Sequence, residues 1–314
     1  MVFKKVVILM MGCLGMSKQP TLPAPPAETA ESSSTDVQIC GSKRIRLSDG
    51  RFLAYTERGV PMNKSSHRVI VVHGFGSSKE MNFMASQDLL EELKICLLLF
   101  DRAGYGESDP NPKRSLKSEA SDIEELADKL QQGSKFFVLG VSLAGVALVV
   151  PYINYKWPSL PSEQTRDDYR MGLSRWAVFV ASHAPRLLYW WLTQKLFPSS
   201  TVLDRNPAFF SRKDLEVLKI TPGYQLLNQW DFDPLELCNP YPQEESTVHI
   251  WQGHEDKVLP FQLQRHVSGK LPWVRYHEVP DGGHQLVYDS DVCEAILRSL
   301  VLGEDPPQMY RPQC

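Results

Sequence analysis

One stretch decides the fold: Phe136-Phe-Val-Leu-Gly-Val-Ser-Leu-Ala-Gly-Val-Ala-Leu-Val-Val-Pro-Tyr152. A buried strand is predicted to run into Gly140-Val141-Ser142, which is how a nucleophile elbow begins. In such an elbow the serine lies at a sharp strand-to-helix turn and exposes its hydroxyl over the end of a parallel sheet. Here Ala144 stands where a second glycine is usual, and another apolar, β-branched run begins at residue 146. Ser142 is therefore the best functional candidate in the sequence, on a turn that departs from the usual pattern.

Apolar runs and amphipathic segments alternate outside this stretch. The Asp49-Gly50 turn predicts a hairpin over residues 44–56. Buried strands are predicted at residues 69–72, 96–100, 136–139, 248–253 and 275–279, and helices over 81–94, 121–131, from near 260, and over 291–302. Ser121 with Glu124 fits a capping box for the second helix. This alternation predicts an α/β fold with a mostly parallel sheet and helices on both faces.

The predicted core is discontinuous. Residues 44–150 and 244–314 are expected to form its two parts, and residues 151–243 a helical lid that carries five of the seven tryptophans. Residues 18–43 are rich in Pro, Ser, Ala and Glu, which predicts a disordered linker. In residues 1–17, two lysines precede an apolar run of about eleven residues. That length fits a signal peptide better than a span of about 20 residues, although an uncleaved anchor stays open. Either one predicts a secretory or endomembrane location or membrane association, whereas a disordered apolar tail, the third alternative, predicts neither.

Charge and cysteine content narrow the function classes. A formal net charge of -3 gives no basic face for nucleic acid, so we expect no nucleic-acid partner. The six cysteines are scattered without Cys-x-x-Cys or metal-ligand spacing. No disulfide framework is implied, although a single bridge in an oxidising compartment stays open. A zinc site made of His73, His254 and His284 is disfavoured because these residues lack paired ligand spacing.

Three residue types that acyl transfer requires follow predicted strands. A hydroxyl needs a base, the base needs an orienting acid, and the oxyanion needs amide donors. Ser142 is the predicted nucleophile, Asp256 the acid and His284 the base. The backbone N–H groups of Phe75 and Leu143 are the predicted oxyanion donors. Each signal alone is weak, but their joint occurrence at strand ends, where open parallel sheets place their sites, carries weight.

Neighbouring polar residues are given structural roles instead. His73 is expected to orient the loop that carries Phe75. Asp101 and Ser108 are expected to brace the adjacent loop. His254 and Glu255 are interpreted as solvated neighbours of the acid.

Five motifs together resemble the α/β-hydrolase fold family, and particularly a plant group with an N-terminal apolar segment. They are Val71-Val-His-Gly-Phe-Gly-Ser-Ser-Lys79, Phe100-Asp-Arg-Ala-Gly-Tyr-Gly-Glu-Ser-Asp-Pro110, Gly140-Val-Ser142, Gly253-His-Glu-Asp256 and Gly282-Gly-His284. The chain order Ser, Asp, His is also that of this family. The resemblance covers about residues 45–302. It implies a serine esterase or lipase that acts on a small apolar ester-like substrate and needs no metal or organic cofactor. A serine at the elbow argues against dehalogenase or epoxide-hydrolase chemistry.

The resemblance breaks directly after Ser142. Only about five residues separate the two strand cores, whereas parallel neighbours normally need a crossover of about a dozen. We therefore expect that a helix of roughly 15–20 residues is absent and that the two runs are not adjacent parallel strands. They would instead fuse into one strand or pair out of register. Loss of the amides at the N-terminus of that helix predicts a poor or inactive, marginally stable hydrolase.

The predicted lid favours an apolar substrate, because residues 189–192 and 209–210 are rich in large apolar side chains. These side chains would equally serve to pack the lid onto the core. Two function classes remain open: a serine esterase or lipase, and an inactive or non-catalytic ligand-binding member of the same fold.

Overall fold

The computed structural model describes residues 43–74, 77–133, 135–141, 147–149, 183–184, 212, 214, 235, 238–241, 247–257, 259 and 261–312. The predicted signal or anchor segment, nearly all of the linker, and most of the predicted lid lie outside these residues. So do Phe75, Ser142 and Leu143.

The described residues form one mixed sheet. Its strands are β1 (Lys43–Arg46), β2 (Phe52–Gly59), β3 (His67–Val72), β4 (Ile95–Phe100), β5 (Phe137–Val141), β6 (Ala147–Val149), β7 (Val248–Gly253) and β8 (Val274–Val279). They pair in the order β1-β2-β4-β3-β5-β6-β7-β8. β2 runs antiparallel to β1 and β4, and the strands from β4 to β8 are parallel. The mostly parallel sheet predicted from the apolar runs is confirmed.

Helices cover both faces of the sheet. They are α1 (Gln87–Glu92), α2 (Leu116–Lys129), α3 (Phe261–Lys270) and α4 (Ser290–Leu302), with short 3-10 helices at Met62–Lys64, Leu286–Tyr288 and Gln308–Tyr310. Alternate residues of each central strand enter different apolar clusters: Val71 lies in the cluster that includes α1 and α4, and Val72 lies in the one that includes α2. Because both faces of the strands are covered, their sequences are continuously apolar.

The predicted hairpin is present between β1 and β2. The N–H of Leu47 donates to the carbonyl of Arg51 at 2.7 Å, and Arg46 pairs with Phe52. Gly50 closes the turn with a φ of +92°, a conformation that costs glycine little.

The first predicted helix, at residues 81–94, is wrong over its first half, since α1 begins only after the N-cap Ser86. The N–H groups of residues 81, 83, 84 and 85 instead make hydrogen bonds that do not follow the α-helical pattern. The N–H of Met84, for example, donates to the carbonyl of Val287 at 3.0 Å, while Phe83 is buried in the core. This contact joins distant parts of the chain and is invisible to local periodicity.

The predicted start of the second helix is also wrong. Ser115 is the N-cap, and Ser118 completes a capping box with it, at 3.2 and 2.9 Å. Ser121 lies one turn inside α2, where its hydroxyl donates to the carbonyl of Lys117 at 2.9 Å. A serine that bonds back to the preceding turn is compatible with a helix interior, so it marks no boundary.

The strongest departure from the sequence prediction lies between β5 and β6. These strands are adjacent and parallel, with Leu139 opposite Ala147 and Val141 opposite Val149, so the expected fusion or slip is wrong. β6 also pairs in parallel with β7. Ala147 is paired with Leu139, so the described ends of the connection, Val141 and Ala147, are offset by about two residues along the strand, or about 7 Å, and by about 5 Å across the sheet. A five-residue connection suffices because β6 is only three residues long.

Candidate active site

The acid and base predicted from the sequence are in direct contact. Asp256 follows β7 and His284 follows β8, two adjacent parallel strands, so both loops leave the same edge of the sheet. Nδ1 of His284 lies 2.9 Å from Oδ2 of Asp256, and both side chains are fully buried. Burial disfavours the imidazolium, but the charge and hydrogen bond of Asp256, with the charge of Asp214, outweigh it and raise the pKa of His284.

Two further donors orient the carboxylate of Asp256. Its Oδ1 accepts the N–H of Leu259 at 2.8 Å, and its Oδ2 accepts Nε2 of Gln252 at 2.9 Å. The same Nε2 faces the carbonyl oxygens of Leu259 and Gly253, at 3.1 and 3.3 Å. Because these three oxygens are acceptors, the NH₂ end of the Gln252 amide must face them, which fixes the amide orientation. Gln252 is fully buried and was not singled out from the sequence; its only signal was an amide at the end of an apolar strand.

Gly253 allows the loops after β7 and β8 to touch. A Cβ at this position would lie 2.2 Å from the carbonyl oxygen of Gly283 and 2.4 Å from that of Gly282. The backbone N–H of Glu255 donates to the same Gly282 carbonyl at 2.9 Å. The glycines of both sequence motifs are therefore what brings the acid loop and the base loop into contact.

A second buried carboxylate, absent from the sequence prediction, binds the backbone of the base. Oδ2 of Asp214 accepts the N–H of His284 at 3.0 Å, and its Oδ1 accepts the N–H of Gln285 at 2.7 Å. Asp214 belongs to the chain between β6 and β7 and is about 1% exposed. No local sequence pattern distinguished it from the other acidic residues of that segment.

His73 joins the end of β3 to the end of β4. Its Nδ1 lies 2.8 Å from the carbonyl of Gly74, and its Nε2 accepts the N–H of Arg102 at 3.1 Å. Burial, reinforced by the charge of Arg102, lowers the pKa of His73 to about 3, so the ring is neutral. His73 therefore binds Gly74 and Arg102, whereas Phe75, whose loop it was predicted to orient, lies outside the described residues.

Asp101 braces the same region, as predicted. Its Oδ1 accepts the N–H of Lys79 at 2.7 Å, and its Oδ2 accepts Nζ of Lys79 at 3.1 Å and the N–H of Glu107 at 3.0 Å. The hydroxyl of Ser108 donates to the carbonyl of Asp101 at 2.6 Å and accepts the N–H of Ala54 at 2.9 Å. These bonds join the loops after β3 and β4 to β2.

His254 and Glu255 face solvent beside the acid, as the sequence interpretation proposed. The ring of His254 stacks on Phe261 with centroids 4.0 Å apart, and its Nδ1 lies 3.5 Å from Glu278. Glu255 is exposed.

The predicted nucleophile and oxyanion donors, Ser142, Leu143 and Phe75, lie outside the described residues. Strand β5 ends at Val141, one residue before Ser142. It ends at the same edge of the sheet as β7 and β8.

Comparison with known proteins agrees with this architecture. The model of a family described as "Alpha/beta hydrolase family" matches residues 69–298. The chain belongs to the alpha/beta hydrolase family. This alpha/beta hydrolase is similar to a hydrolase structure from Pseudomonas aeruginosa PA01, at 19% identity and a TM-score of 0.52, covering 85% of this chain and 100% of that one. It is also similar to Rv0554 from Mycobacterium tuberculosis, at 17% identity and a TM-score of 0.52, covering 77% and 91%. A search of curated proteins gave no significant sequence match.

Two other properties of this alpha/beta hydrolase concern only its described residues. No described helix has the length and apolar character needed to cross a bilayer. Within the same residues, no three His, Cys, Asp or Glu side chains converge as metal ligands would.

Proposed function

We propose that this alpha/beta hydrolase is a serine hydrolase of the esterase or lipase type. In this proposal Ser142 is the nucleophile, His284 the general base and Asp256 the acid that orients it. The backbone N–H groups of Phe75 and Leu143 stabilise the oxyanion. One observation carries the proposal: a buried acid–base pair lies at the sheet edge where β5 ends, one residue before a serine.

The geometry of the pair suits proton transfer. Asp256 accepts the Nδ1–H of His284, which leaves Nε2 with the lone pair that a base needs. In the proposed reaction, Nε2 takes the proton of the Ser142 hydroxyl while Oγ attacks the ester carbonyl. Collapse of the tetrahedral intermediate breaks the bond to the alcohol, which leaves with that proton. Water then attacks the acyl-serine by the same route, releasing the acid and restoring the serine.

The raised pKa of His284 supports this role. Asp256 stabilises the imidazolium that forms during attack, while burial keeps water from competing for the proton. The neutral His73, with its pKa lowered to about 3, is unsuited to carry a proton near neutral pH. Both contact and charge therefore support the proposal that His284 is the base.

The substrate and location parts of the proposal depend on the sequence. We propose a small apolar ester-like substrate, because the segment between β6 and β7 is rich in tryptophan. We also propose that residues 1–17 direct the protein to a membrane or the secretory route, and that the chain is similar to a plant group with an N-terminal apolar segment. Both proposals depend on the sequence alone.

One observation favours a second candidate, an inactive or ligand-binding form. The connection between β5 and β6 has five residues, so it has no room for the helix that this fold uses to direct amides at the oxyanion. If the N–H of Leu143 lacks that support, oxyanion stabilisation falls, and loss of one such donor costs about 10²–10³ in kcat.

A fluorophosphonate probe separates the two candidates, because it phosphonylates an activated serine Oγ with loss of fluoride. The wild type, Ser142→Ala and His284→Ala should be compared with matched circular dichroism spectra, alongside p-nitrophenyl esters of increasing acyl length. Labelling that requires both residues supports the hydrolase. A folded wild type that is not labelled supports the second candidate, and labelling that persists in Ser142→Ala contradicts the nucleophile assignment.

A further inference from the structure

The contact between Asp214 and the backbone of the base has a geometry of its own. Each carboxylate oxygen accepts one of two consecutive N–H groups, from His284 at 3.0 Å and from Gln285 at 2.7 Å. Two bonds to adjacent peptide units fix both the position and the rotation of that backbone. The fixed segment contains the Cα from which the imidazole of His284 reaches Asp256.

The carboxylate is chemically specific at this position. A hydrogen bond to an ionised acceptor is shorter and stronger than one between neutral groups. Asparagine has almost the same shape, but it offers one acceptor oxygen and would turn its NH₂ group toward the second N–H. Burying a charge is costly, and the two N–H groups that Asp214 binds offset part of that cost.

We propose that Asp214 is a positioning residue, which holds the backbone of His284 so that its imidazole meets Asp256. The alignment of the base then depends on the segment between β6 and β7 as well as on the core. The consequence for catalysis depends on the proposed function, whereas the positioning itself does not.

The charges around the ring agree with this role. Asp256 from the loop after β7 and Asp214 from the segment between β6 and β7 both favour the protonated form of His284. Removing the charge of Asp214 should therefore lower the pKa of His284 as well as loosen its backbone.

The test compares Asp214→Asn with Asp128→Asn, a matched change at an exposed residue of α2. NMR should follow amide exchange at His284 and Gln285 and the low-field Nδ1–H resonance of His284, neither of which needs catalysis. In Asp214→Asn we expect exchange at both amides to accelerate about tenfold or more, and the pKa of His284 to fall. Exchange rates and a resonance equal to those of Asp128→Asn would overturn the proposal.

Two additional measurements keep the result decisive. If Asp214→Asn does not fold, the wild type alone is informative, because amides held by Asp214 exchange slowly and amides that exchange at open-loop rates would refute the proposal. If the wild type hydrolyses esters, Asp214→Asn should lower kcat about 10²-fold with little change in KM, as expected for a misplaced base. An inactive wild type counts against the proposed function only, since the exchange and resonance data still judge the positioning role.

Discussion

Replacing Gly253 by alanine should separate the acid loop from the base loop. The added Cβ would lie 2.2 Å from the carbonyl oxygen of Gly283 and 2.4 Å from that of Gly282. Both obstacles are backbone atoms, so no side chain can rotate aside. The loops must therefore move apart for the variant to fold.

The size of the effect follows from these distances. Real Cβ contacts almost never fall below 3.0 Å, so the loops must open by about 0.8 Å. If that movement reaches the pair, the 2.9 Å contact between His284 and Asp256 becomes about 3.7 Å, too long for a hydrogen bond. A misplacement of about 1 Å can cost about 10²-fold in rate. Overpacking of this kind costs about 1–3 kcal/mol, which is several degrees in Tm for a domain of this size.

The assay measures Tm, the Nδ1–H resonance of His284, and ester hydrolysis where the wild type shows it. Gly269→Ala is the control, because nothing lies within 4 Å of its added Cβ and the residue is part of α3. Alanine in a helix is favoured over glycine by about 0.5–1 kcal/mol, so the control should keep or raise Tm. A Gly253→Ala protein with the Tm and Nδ1–H resonance of the wild type would refute the reasoning.

Three other perturbations test the framework around the site. Lys79→Met leaves the fully buried Asp101 without its cation, and urea unfolding should show a loss of about 3–5 kcal/mol, partly recovered when Asp101→Asn is added. Gln252→Leu removes a donor from the acid and leaves a buried acceptor less satisfied, which should cost about 1–3 kcal/mol by the same measurement and lower kcat. Burial lowers the pKa of His249 to about 4 and of His277 to about 3, so below about pH 6.5 the unfolded chain binds protons that the folded chain does not. The free energy of unfolding should therefore fall as the pH drops from 6.5 toward 4, and His249→Gln with His277→Gln should flatten that slope; an unchanged slope would show that neither ring stays neutral in the folded state.

The strands were predictable because burial on both faces leaves a continuous apolar run. Every residue of β4 is buried, and from Leu97 to Phe100 its residues alternate between the two apolar clusters. Helix starts were less predictable, because a serine that caps a helix looks the same in sequence as one inside it. The backbone N–H of Ser115 donates to the side chain of Ser118, whereas Ser121 lies within α2 and its hydroxyl donates to the carbonyl of Lys117. The parallel pairing of β5 and β6 was missed for a different reason. The usual crossover length applies to strands of ordinary length, and the brevity of β6 appears only once its register is known.

The contact between Asp256 and His284 was predictable because adjacent parallel strands end at one edge of a sheet. Asp256 and His284 each follow such a strand, and their contact needs no further information. Their supports were missed because they depend on tertiary contacts. Gln252 lies in an apolar strand, and nothing in the neighbouring sequence indicates that its side chain binds Asp256. Asp214 lies 70 positions from the N–H of His284 along the chain.

Because β6 has only three residues, the two sides of the sheet are joined by a short stretch of strand pairing. Among the described residues, backbone pairing between the two sides passes through residues 147–149 alone. The two sides are also joined by α4, which follows β8 and packs against α1. Ile296 of α4 shares an apolar cluster with Leu89 of α1, and Arg298 forms an ion pair with Glu92 at 2.8 Å. Helix α4 is synthesised after nearly all the other described elements, at about 5–20 residues per second. In a nascent chain stalled before residue 290, the loops that carry Asp256 and His284 would thus be joined to β5 through the pairing of β6 but without the contacts of α4.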